Sequence, residues 1–387
     1  MRHFTTSTYT RLIAVLAGAA LFGCGDATHA DPRPAPDVTA AVESLGSPFT
    51  VPSAYARNVW DMQLFGGRIQ LGHGDSIDNW GPAAIWSLDP ETGALSADFT
   101  TSDEQVDVFR VLGGALYVPG HDPRDDWTFG NFYRLDGAGW AKHRSIPHGL
   151  HAFDLALHGG RLFAALGTEE VDGQATLLAS ADGGESWAPV TEKVSRFYTL
   201  FELRGTLYAA PLLWPSVDPA RGVLHRFDGA SFVETGFVGG TLLPGVPAGR
   251  PGRMLRPTQF AGALVYVSAS ETFDWRPAAL AVTRTLADAA PVALPDTAAR
   301  PYDLLVRGGT LYVLAAAPSP AGGHTVHVYA TEDAARFREL FHFRAETFAR
   351  SFEEHDGDFF FGLGSRYDAP SPATGTLLRV RRAAYAE

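Results

Sequence analysis

The chain has 387 residues, a formal net charge of −12 and a single cysteine. Its acidic balance argues against nucleic acid or an anionic lipid surface as the main partner, and one cysteine excludes a disulfide within the chain. Glycine and proline are abundant, with 41 and 26 residues, whereas charged residues make up only 19%. This composition is typical of a large domain that contains many turns.

The N-terminus carries a pattern typical of an export signal. Arg2 and Arg11 accompany an apolar run at residues 12–22, which is too short to span a bilayer. The run ends in a Leu-Phe-Gly-Cys motif whose last residue is Cys24. This motif resembles the bacterial lipobox, and the resemblance implies cleavage before Cys24 and lipid attachment to its sulfur. The alternative is a plain secretory signal followed by an incidental cysteine.

From this pattern we expect three segments. Residues 1–23 would form the lipoprotein signal peptide. Residues 24–40, which are polar and rich in proline and alanine, would form a flexible tether. Residues 41–387 would form the folded domain. The protein would then be held by its lipid in the bacterial cell envelope, at the outer membrane or the periplasmic face.

A repeat of 45 to 57 residues fills the expected domain. Each copy begins with two short apolar runs separated by a two-residue turn, which is a tight hairpin signal. The second turn residue marks the seven copies at Gly67, Gly114, Gly160, Gly205, Gly262, Gly309 and Gly357. An aspartate follows five of these markers by 22 to 24 residues, at Asp89, Asp136, Asp182, Asp228 and Asp333. The pattern predicts an all-β fold, a seven-bladed β-propeller with four antiparallel strands in each blade.

The two ends of the domain complement each other. The last repeat stops at Glu387 with almost no chain left for a fourth strand, and a strand-like stretch at residues 47–52 precedes the first repeat. We expect this N-terminal segment to supply the outer strand of blade 7, because joining the termini removes an open seam in the ring.

One turn in the third repeat resembles the Asp-box of sialidases and related BNR-repeat propellers. It runs from Ser180 through Asp182 and Gly184 to Trp187. The resemblance implies a structural hairpin, in which the carboxylate accepts backbone N–H bonds and the tryptophan wedges between blades, on the face opposite the usual active site. Sialidase activity is not expected, since the family's Arg-Ile-Pro motif is absent and sialidases of that type have six blades.

Three tryptophans fall at one repeated position in the loops between second and third strands, 13 residues after the marker: Trp80, Trp127 and Trp275. Tryptophan beside carboxylates and amides is typical of sugar binding, because the indole stacks on the apolar face of the ring. The alternative is a scaffold role, in which each indole caps its own blade.

Histidines suggest a different chemistry in the same loops. His73 and His121 are equivalent in blades 1 and 2 and are followed by Asp75 and Asp122, while His151 lies in the crossing loop that enters blade 3. Imidazoles and carboxylates meeting near the axis would suit a divalent metal or a general base. The alternative is that these are ordinary loop histidines in contact with solvent or backbone.

A third repeated position carries arginine, nine residues before the marker, at Arg196, Arg253 and Arg300. Near the mouth of the channel these side chains would clamp a carboxylate. The alternative is that they bind backbone carbonyls between blades.

These features favour a monomeric binding propeller, with a glycan or an envelope protein as partner and no catalytic residue assigned. The alternative is an enzyme, either a glycan hydrolase or lyase or a metal-assisted hydrolase, with its site in the His/Asp loops of blades 1 to 3. A rigid assembly platform is a third interpretation. A divalent metal belongs only to the enzyme alternative, and no other cofactor is expected.

Overall fold

Seven antiparallel sheets make up nearly all the regular structure of the computed structural model, which describes residues 34–167, 176–191, 196–213, 222–270 and 275–386. The predicted signal peptide and Cys24 lie outside the described residues. Within the described ranges the single α-helix is one turn, α1 (Gly239–Leu242), and no helix there has the length and apolarity needed to cross a membrane.

The strands follow the predicted repeat. The first strand, β1 (Val42–Gly46), belongs to the last sheet. Blade 1 holds β2 (Asp61–Phe65), β3 (Arg68–Gly72), β4 (Ala84–Leu88) and β5 (Leu95–Thr100), and β6 (Asp103–Gln105) follows. Blade 2 holds β7 (Arg110–Leu112), β8 (Ala115–Pro119), β10 (Phe129–Asp136) and β11 (Gly139–Pro147), with β9 (His121–Pro123) between its second and third strands. Blade 3 holds β12 (His151–His158), β13 (Arg161–Gly167), β14 (Leu177–Ser180) and β15 (Ala188–Pro189).

The remaining blades continue in the same order. Blade 4 holds β16 (Phe197–Leu203), β17 (Thr206–Pro211), β18 (Val223–Phe227) and β19 (Phe232–Val238). Blade 5 holds β20 (Gly252–Phe260), β21 (Ala263–Ser270), β22 (Arg276–Thr283) and β23 (Ala290–Val292). Blade 6 holds β24 (Arg300–Arg307), β25 (Thr310–Pro318), β26 (His324–Thr331) and β27 (Arg338–Ala345). Blade 7 holds β28 (Ala349–His355), β29 (Asp358–Leu363), β30 (Leu377–Val380) and β1. The predicted fold is confirmed.

The marker turns explain why the repeat is visible in the sequence. All seven marker glycines have a positive φ, and so does the residue before each of them. Two successive positive φ values match the twist of a two-residue hairpin, and glycine adopts them without steric cost. Three of the preceding residues are not glycine, namely Arg204, Ala261 and Asp356.

The hydrophobic core is divided among the contacts between blades. Seven clusters of buried side chains each join two neighbouring blades, and they include the contact between blades 7 and 1. Each sheet therefore buries both faces only by stacking on its neighbours, as expected for a closed ring.

The ring is closed by an N-terminal strand, but not by the residues expected to form it. Strand β1 pairs antiparallel with β30, with Val42 opposite Val380. Residues 48–51 form no strand; Phe49 instead lies buried in the cluster between blades 7 and 1. The prolines at positions 48 and 52 cannot donate ladder hydrogen bonds, whereas Glu43 on β1 bonds Arg379.

Candidate functional site

A pocket with an open mouth lies on the propeller axis. Its wall is built from one repeated position, the residue seven before each marker glycine, on or just before the innermost strand. All seven of these residues line it: Trp60, Asp107, Phe153, Tyr198, Leu255, Tyr302 and Arg350. Because the first strands converge at the axis, equivalent positions of all seven blades face one space.

The floor of the pocket is an arginine that spans the axis. Arg256 of blade 5 places Nη1 2.9 Å from Asp61 of blade 1 and Nε 3.2 Å from Asp303 of blade 6. Burial raises the pKa of Asp61 and of Asp303, although Arg256 opposes the shift. A second cavity continues beneath, and Arg256 lines both. The channel is therefore divided by a buried charge network.

Aspartates beside this floor hold the blades together. Asp303 accepts hydrogen bonds from Leu304 of its own strand and from Phe352 of blade 7, and Asp61 and Asp154 make the same pattern in their blades. Asp154 also forms a bidentate pair with Arg110, at 2.8 and 2.9 Å. These buried carboxylates therefore have a structural role at the pocket wall.

The upper wall of the pocket combines aromatic rings with guanidinium groups. The Cζ atom of Arg253 lies 3.8 Å from the Trp275 ring centroid and 4.9 Å from that of Tyr198. Arg350 lies 4.2 Å from the centroid of Trp60. Such cation–π contacts hold the guanidinium groups in place. Planar, fixed guanidinium groups are the usual partners of carboxylates.

The described lining carries an excess of positive charge. Four arginines line the pocket (Arg110, Arg253, Arg256 and Arg350), against two aspartates (Asp107 and Asp154). Arg110 is paired with Asp154, and Arg256 with Asp61 and Asp303 at the floor, so these carboxylates offset part of the positive charge.

A histidine cluster stands behind one wall of the pocket. Strands β9 and β6 extend the blade 3 sheet inward, and this pairing places His121 opposite His151. Asp122 contacts Nδ1 of His151 and lies 3.8 Å from Nε2 of His121. His121 also lies 3.7 Å from the pocket residue Asp107, so the cluster reaches the pocket.

The pKa values of the two histidines are shifted in opposite directions. Burial would lower the pKa of His121, but the carboxylates of Asp107 and Asp122 outweigh it and raise that pKa above its ordinary value. At His151, burial outweighs Asp122, and the pKa is lowered. Burial and the nearby Asp122 raise the pKa of the neighbouring Glu104 to about 7. Paired groups with separated pKa values are suited to acid–base chemistry.

The same three residues have the donor set of a metal site. One ligand atom each from His121, Asp122 and His151 lies within 4.8 Å of the others. The buried Nδ1 of His121 and Oδ1 of Asp107 make no hydrogen bond. Two imidazoles and a carboxylate suit Zn²⁺ or a related divalent ion.

Three of the ten described non-glycine residues with a positive φ lie at this site. Asp122, Arg256 and Trp275 have φ values of +60°, +52° and +39°, a region that L-residues enter at a cost of about 1–2 kcal/mol. Such outliers persist where surrounding structure enforces them, often at binding sites. Arg256 lies within a register shift of β20, between Leu255 and Thr258, and its side chain reaches the axis from there.

The equivalence predicted between His73 and His121 does not extend to their environments. His73 is buried, packs against Phe49 with the rings tilted, and bonds the backbone of Ala56 and Ala84. Burial lowers its pKa to about 4. Asp75 accepts bonds from two backbone N–H groups of its own loop. Neither residue lines the axial pocket.

The three predicted tryptophans occupy different places. Trp275 lines the pocket, whereas Trp80 and Trp127 are 40% and 54% exposed on the loops of blades 1 and 2. Those two loops touch, because Arg124 donates hydrogen bonds to the carbonyls of Asn79 and Gly81. Trp80 and Trp127 therefore belong to neighbouring loops and not to the pocket wall.

The three predicted arginines also lie in different places. Arg253 lines the pocket, while Arg300 is exposed and bonds the carbonyl of Thr297. Arg196 is half-buried and lies close enough to Asp122 to lower the pKa of that carboxyl, after the larger influences of burial and the two histidines. They do not form one clamp.

The turn at Ser180 is held by its own side chains. Asp182 accepts from the backbone N–H and the hydroxyl of Ser186, and Ser180 Oγ accepts from Gly184 N–H. Trp187 donates to the Gly184 carbonyl and contacts the ring of Phe132 in blade 2. None of these residues lines the axial pocket.

Sequence reasoning missed most of the pocket wall, although a signal was present. Trp60, Tyr302 and Arg350 share the position seven before the marker, two residues after the position of the predicted arginines. Aligning the repeats on that position would have found them. Arg256 gives no such signal, since its placement depends on a local register shift.

The chain resembles other propellers in fold alone. Virginiamycin B lyase from Staphylococcus aureus aligns at 9% identity with a TM-score of 0.49, over 87% of this chain and 98% of that one. A chain of the mitotic checkpoint complex aligns at 12% identity and 0.51, over 97% and 98%. The propeller domain of the trilobed protease from Pyrococcus furiosus gives 9% and 0.48, over 78% and 89%. No family model and no curated protein sequence matches the chain.

Proposed function

We propose that the protein is a binding propeller whose axial pocket takes an acidic sugar unit of a glycan. One observation carries the proposal: Arg253 is held against Trp275 and Tyr198 within a pocket that has more arginines than aspartates. Aromatic faces stack on the apolar face of a sugar ring, and a guanidinium binds its carboxylate. A neutral sugar would stack on the aromatic faces but would offer no carboxylate to the guanidinium.

The exposed aromatic side chains support a ligand larger than one sugar. Trp80 and Trp127 are exposed on the loops between second and third strands, Phe129 is exposed at the start of β10, and Trp275 comes from the equivalent loop of blade 5. Tyr367, on the corresponding loop of blade 7, bonds Asp78 of the blade 1 loop. The same face therefore offers further stacking positions for a chain that enters the pocket.

The proposal extends to the setting of the protein. The lipobox-like motif supports a lipid-anchored protein of the bacterial cell envelope, at the outer membrane or periplasmic face. The acidic chain supports a partner other than nucleic acid. We infer that the propeller acts as a monomer, since the outer edge of each blade is a single short strand.

Matched ligands test the proposal. Isothermal titration would compare uronate oligosaccharides with the same oligosaccharides reduced at the carboxyl group. We expect the acidic form to bind at least about tenfold more tightly, because a hydrogen bond to a charged group contributes about 1.5–3 kcal/mol. Equal binding of both forms, or binding of neither, would overturn the acidic-sugar assignment.

The His121–Asp122–His151 cluster supports a second candidate, an enzyme that acts on the ligand in the pocket. The separated pKa values of the two histidines suit a general acid and a general base, and the cluster reaches the pocket through Asp107. A hydrolase would release reducing ends and a lyase would release an unsaturated uronate. Both products would be assayed in the parent and in His151→Ala. No turnover by the parent would exclude this candidate for the tested glycans.

A further inference from the structure

A second group of histidines lies on blade 6 and does not line the axial pocket. His327 on β26 is paired in register with His342 on β27, and their ring centroids are 5.8 Å apart. Oε1 of Glu339 lies 2.6 Å from Nδ1 of His327 and 3.2 Å from Nδ1 of His342. One ligand atom of each residue lies within 4.8 Å of the other two.

A β-bulge brings the three side chains together. Glu339 and His342 are three residues apart, so on a regular strand they would point to opposite faces of the sheet. Val328 pairs with Phe341 and the next residue, Tyr329, pairs with Glu339, which leaves one extra residue in β27. The bulge turns Glu339 to the side of His342, and bulges commonly redirect functional side chains in this way.

The surroundings of His327 match those of a metal ligand. Its Nε2 atom lies 3.5 Å from Oδ2 of Asp296, on the side of the ring away from Glu339, without a formed hydrogen bond. Histidines that bind metals direct their second ring nitrogen to a carboxylate or carbonyl, which orients the ring. The buried Nδ1 of His342 makes no well-formed hydrogen bond, although Glu339 is nearby.

We propose that His327, Glu339 and His342 bind a divalent transition metal of the Zn²⁺ class, with Asp296 as the outer partner of His327. Two imidazoles and one carboxylate are typical ligands of such an ion. The ion takes the place of the hydrogen between Nδ1 of His327 and Glu339, and the neutral imidazole then carries its proton on Nε2, on the side of Asp296. The side chains of His342 and Glu339 are 28% and 23% exposed, so the ion has a path to the site.

The site lies where the N-terminal segment joins the propeller. The backbone N–H of His342 donates to the carbonyl of Pro36 at 3.1 Å, and its carbonyl accepts from Val38 at 2.9 Å. Metal binding fixes His342, so it stabilises the docking of residues 36–38 on blade 6. The metal would thus strengthen the contact between residues 36–38 and blade 6.

Zn²⁺ titration of the purified, chelator-treated protein tests the proposal. We expect one equivalent to bind at blade 6, with affinity lowered at least 100-fold in Glu339→Gln and His342→Ala, and 10- to 100-fold in Asp296→Asn. All titrations are made in the His121→Ala background, which removes a ligand of the axial cluster, so that only the blade 6 site is counted. Circular dichroism with chelator present checks that every variant folds.

Hydrogen exchange distinguishes metal binding at this site from a purely structural role of the three residues. Zn²⁺ should slow exchange at Val38 and His342 in the parent and have no effect in Glu339→Gln. The proposal is overturned if the folded parent binds no Zn²⁺. It is equally overturned if, in the His121→Ala background, Zn²⁺ binding survives undiminished in Glu339→Gln and His342→Ala.

Discussion

Arg256 of blade 5 reaches across the propeller axis to Asp61 of blade 1, with 2.9 Å between Nη1 and Oδ2. The two blades are not neighbours in the ring, so this contact joins opposite sides of the channel. It forms the floor of the pocket and limits how deeply a ligand can enter. Asp303 of blade 6 lies on the same guanidinium.

Replacing this arginine should destabilise the ring. Arg256→Met leaves Asp61 and Asp303 buried without their shared cation, and removal of one partner of a buried pair costs about 3–5 kcal/mol. Urea unfolding would measure the loss. Adding Asp61→Asn and Asp303→Asn should restore most of it, whereas a loss under about 1 kcal/mol for Arg256→Met alone would show that the network contributes little.

His73 predicts a loss of stability in acid. Burial lowers its pKa to about 4 in the folded protein, whereas an unfolded chain titrates near 6.5. The stabilisation is therefore complete above pH 6.5 and is lost as the pH falls towards 4, because the unfolded state takes up the proton first. In His73→Gln, the difference in unfolding free energy between pH 7 and pH 4.5 should shrink by about 2–3 kcal/mol. The same difference in both proteins would contradict this assignment.

The closing strand predicts a large effect of a short deletion. A chain that begins at Ser47 lacks β1, which leaves β30 with an open edge that pairs with other molecules. We expect the melting temperature to fall by at least about 5 °C and oligomers to appear in size-exclusion chromatography. Glu43→Gln is the matched milder change, since it keeps the strand and removes only the ion pairs to Arg379 and Arg381. An unchanged monomer after the deletion would argue against closure by β1.

One marker turn offers a stabilising substitution. Ala261 has a φ of +48° directly before Gly262, a conformation that costs alanine about 1–2 kcal/mol. Ala261→Gly should raise the free energy of unfolding by about 0.5–1 kcal/mol, after the larger chain entropy of glycine is subtracted. The matched control is Gly159→Ala, which puts alanine at the equivalent position of blade 3 with a φ of +56° and should destabilise the protein. A destabilising Ala261→Gly would contradict the turn geometry.

The fold could be predicted because the repeat is carried by backbone requirements. Gly67 and its six equivalents occupy positions of positive φ, and the glycine at each position reveals this requirement in the sequence. The closing strand was misplaced by a few residues for a related reason. The apolar character of Phe49 is typical of a strand residue, but it serves the core between blades 7 and 1.

The candidate site was only partly predictable, because equal positions in a repeat need not have equal environments. Arg253 and Arg300 share one position, yet one lines the pocket and the other is exposed. Arg256 and Glu339 depend on register shifts in β20 and in the pairing of β26 with β27. A strand shifted by one residue turns its side chains to the other face of the sheet. No residue type in the sequence predicts such a shift.

The most direct test of the acidic-sugar pocket is a titration of the parent, Arg253→Gln and Arg300→Gln with one uronate oligosaccharide. The two arginines hold the same repeat position, so they are matched in sequence and differ in location. We expect Arg253→Gln to weaken binding by about 10- to 100-fold and Arg300→Gln to leave it unchanged. Equal affinities in all three proteins would contradict a binding site at the axis.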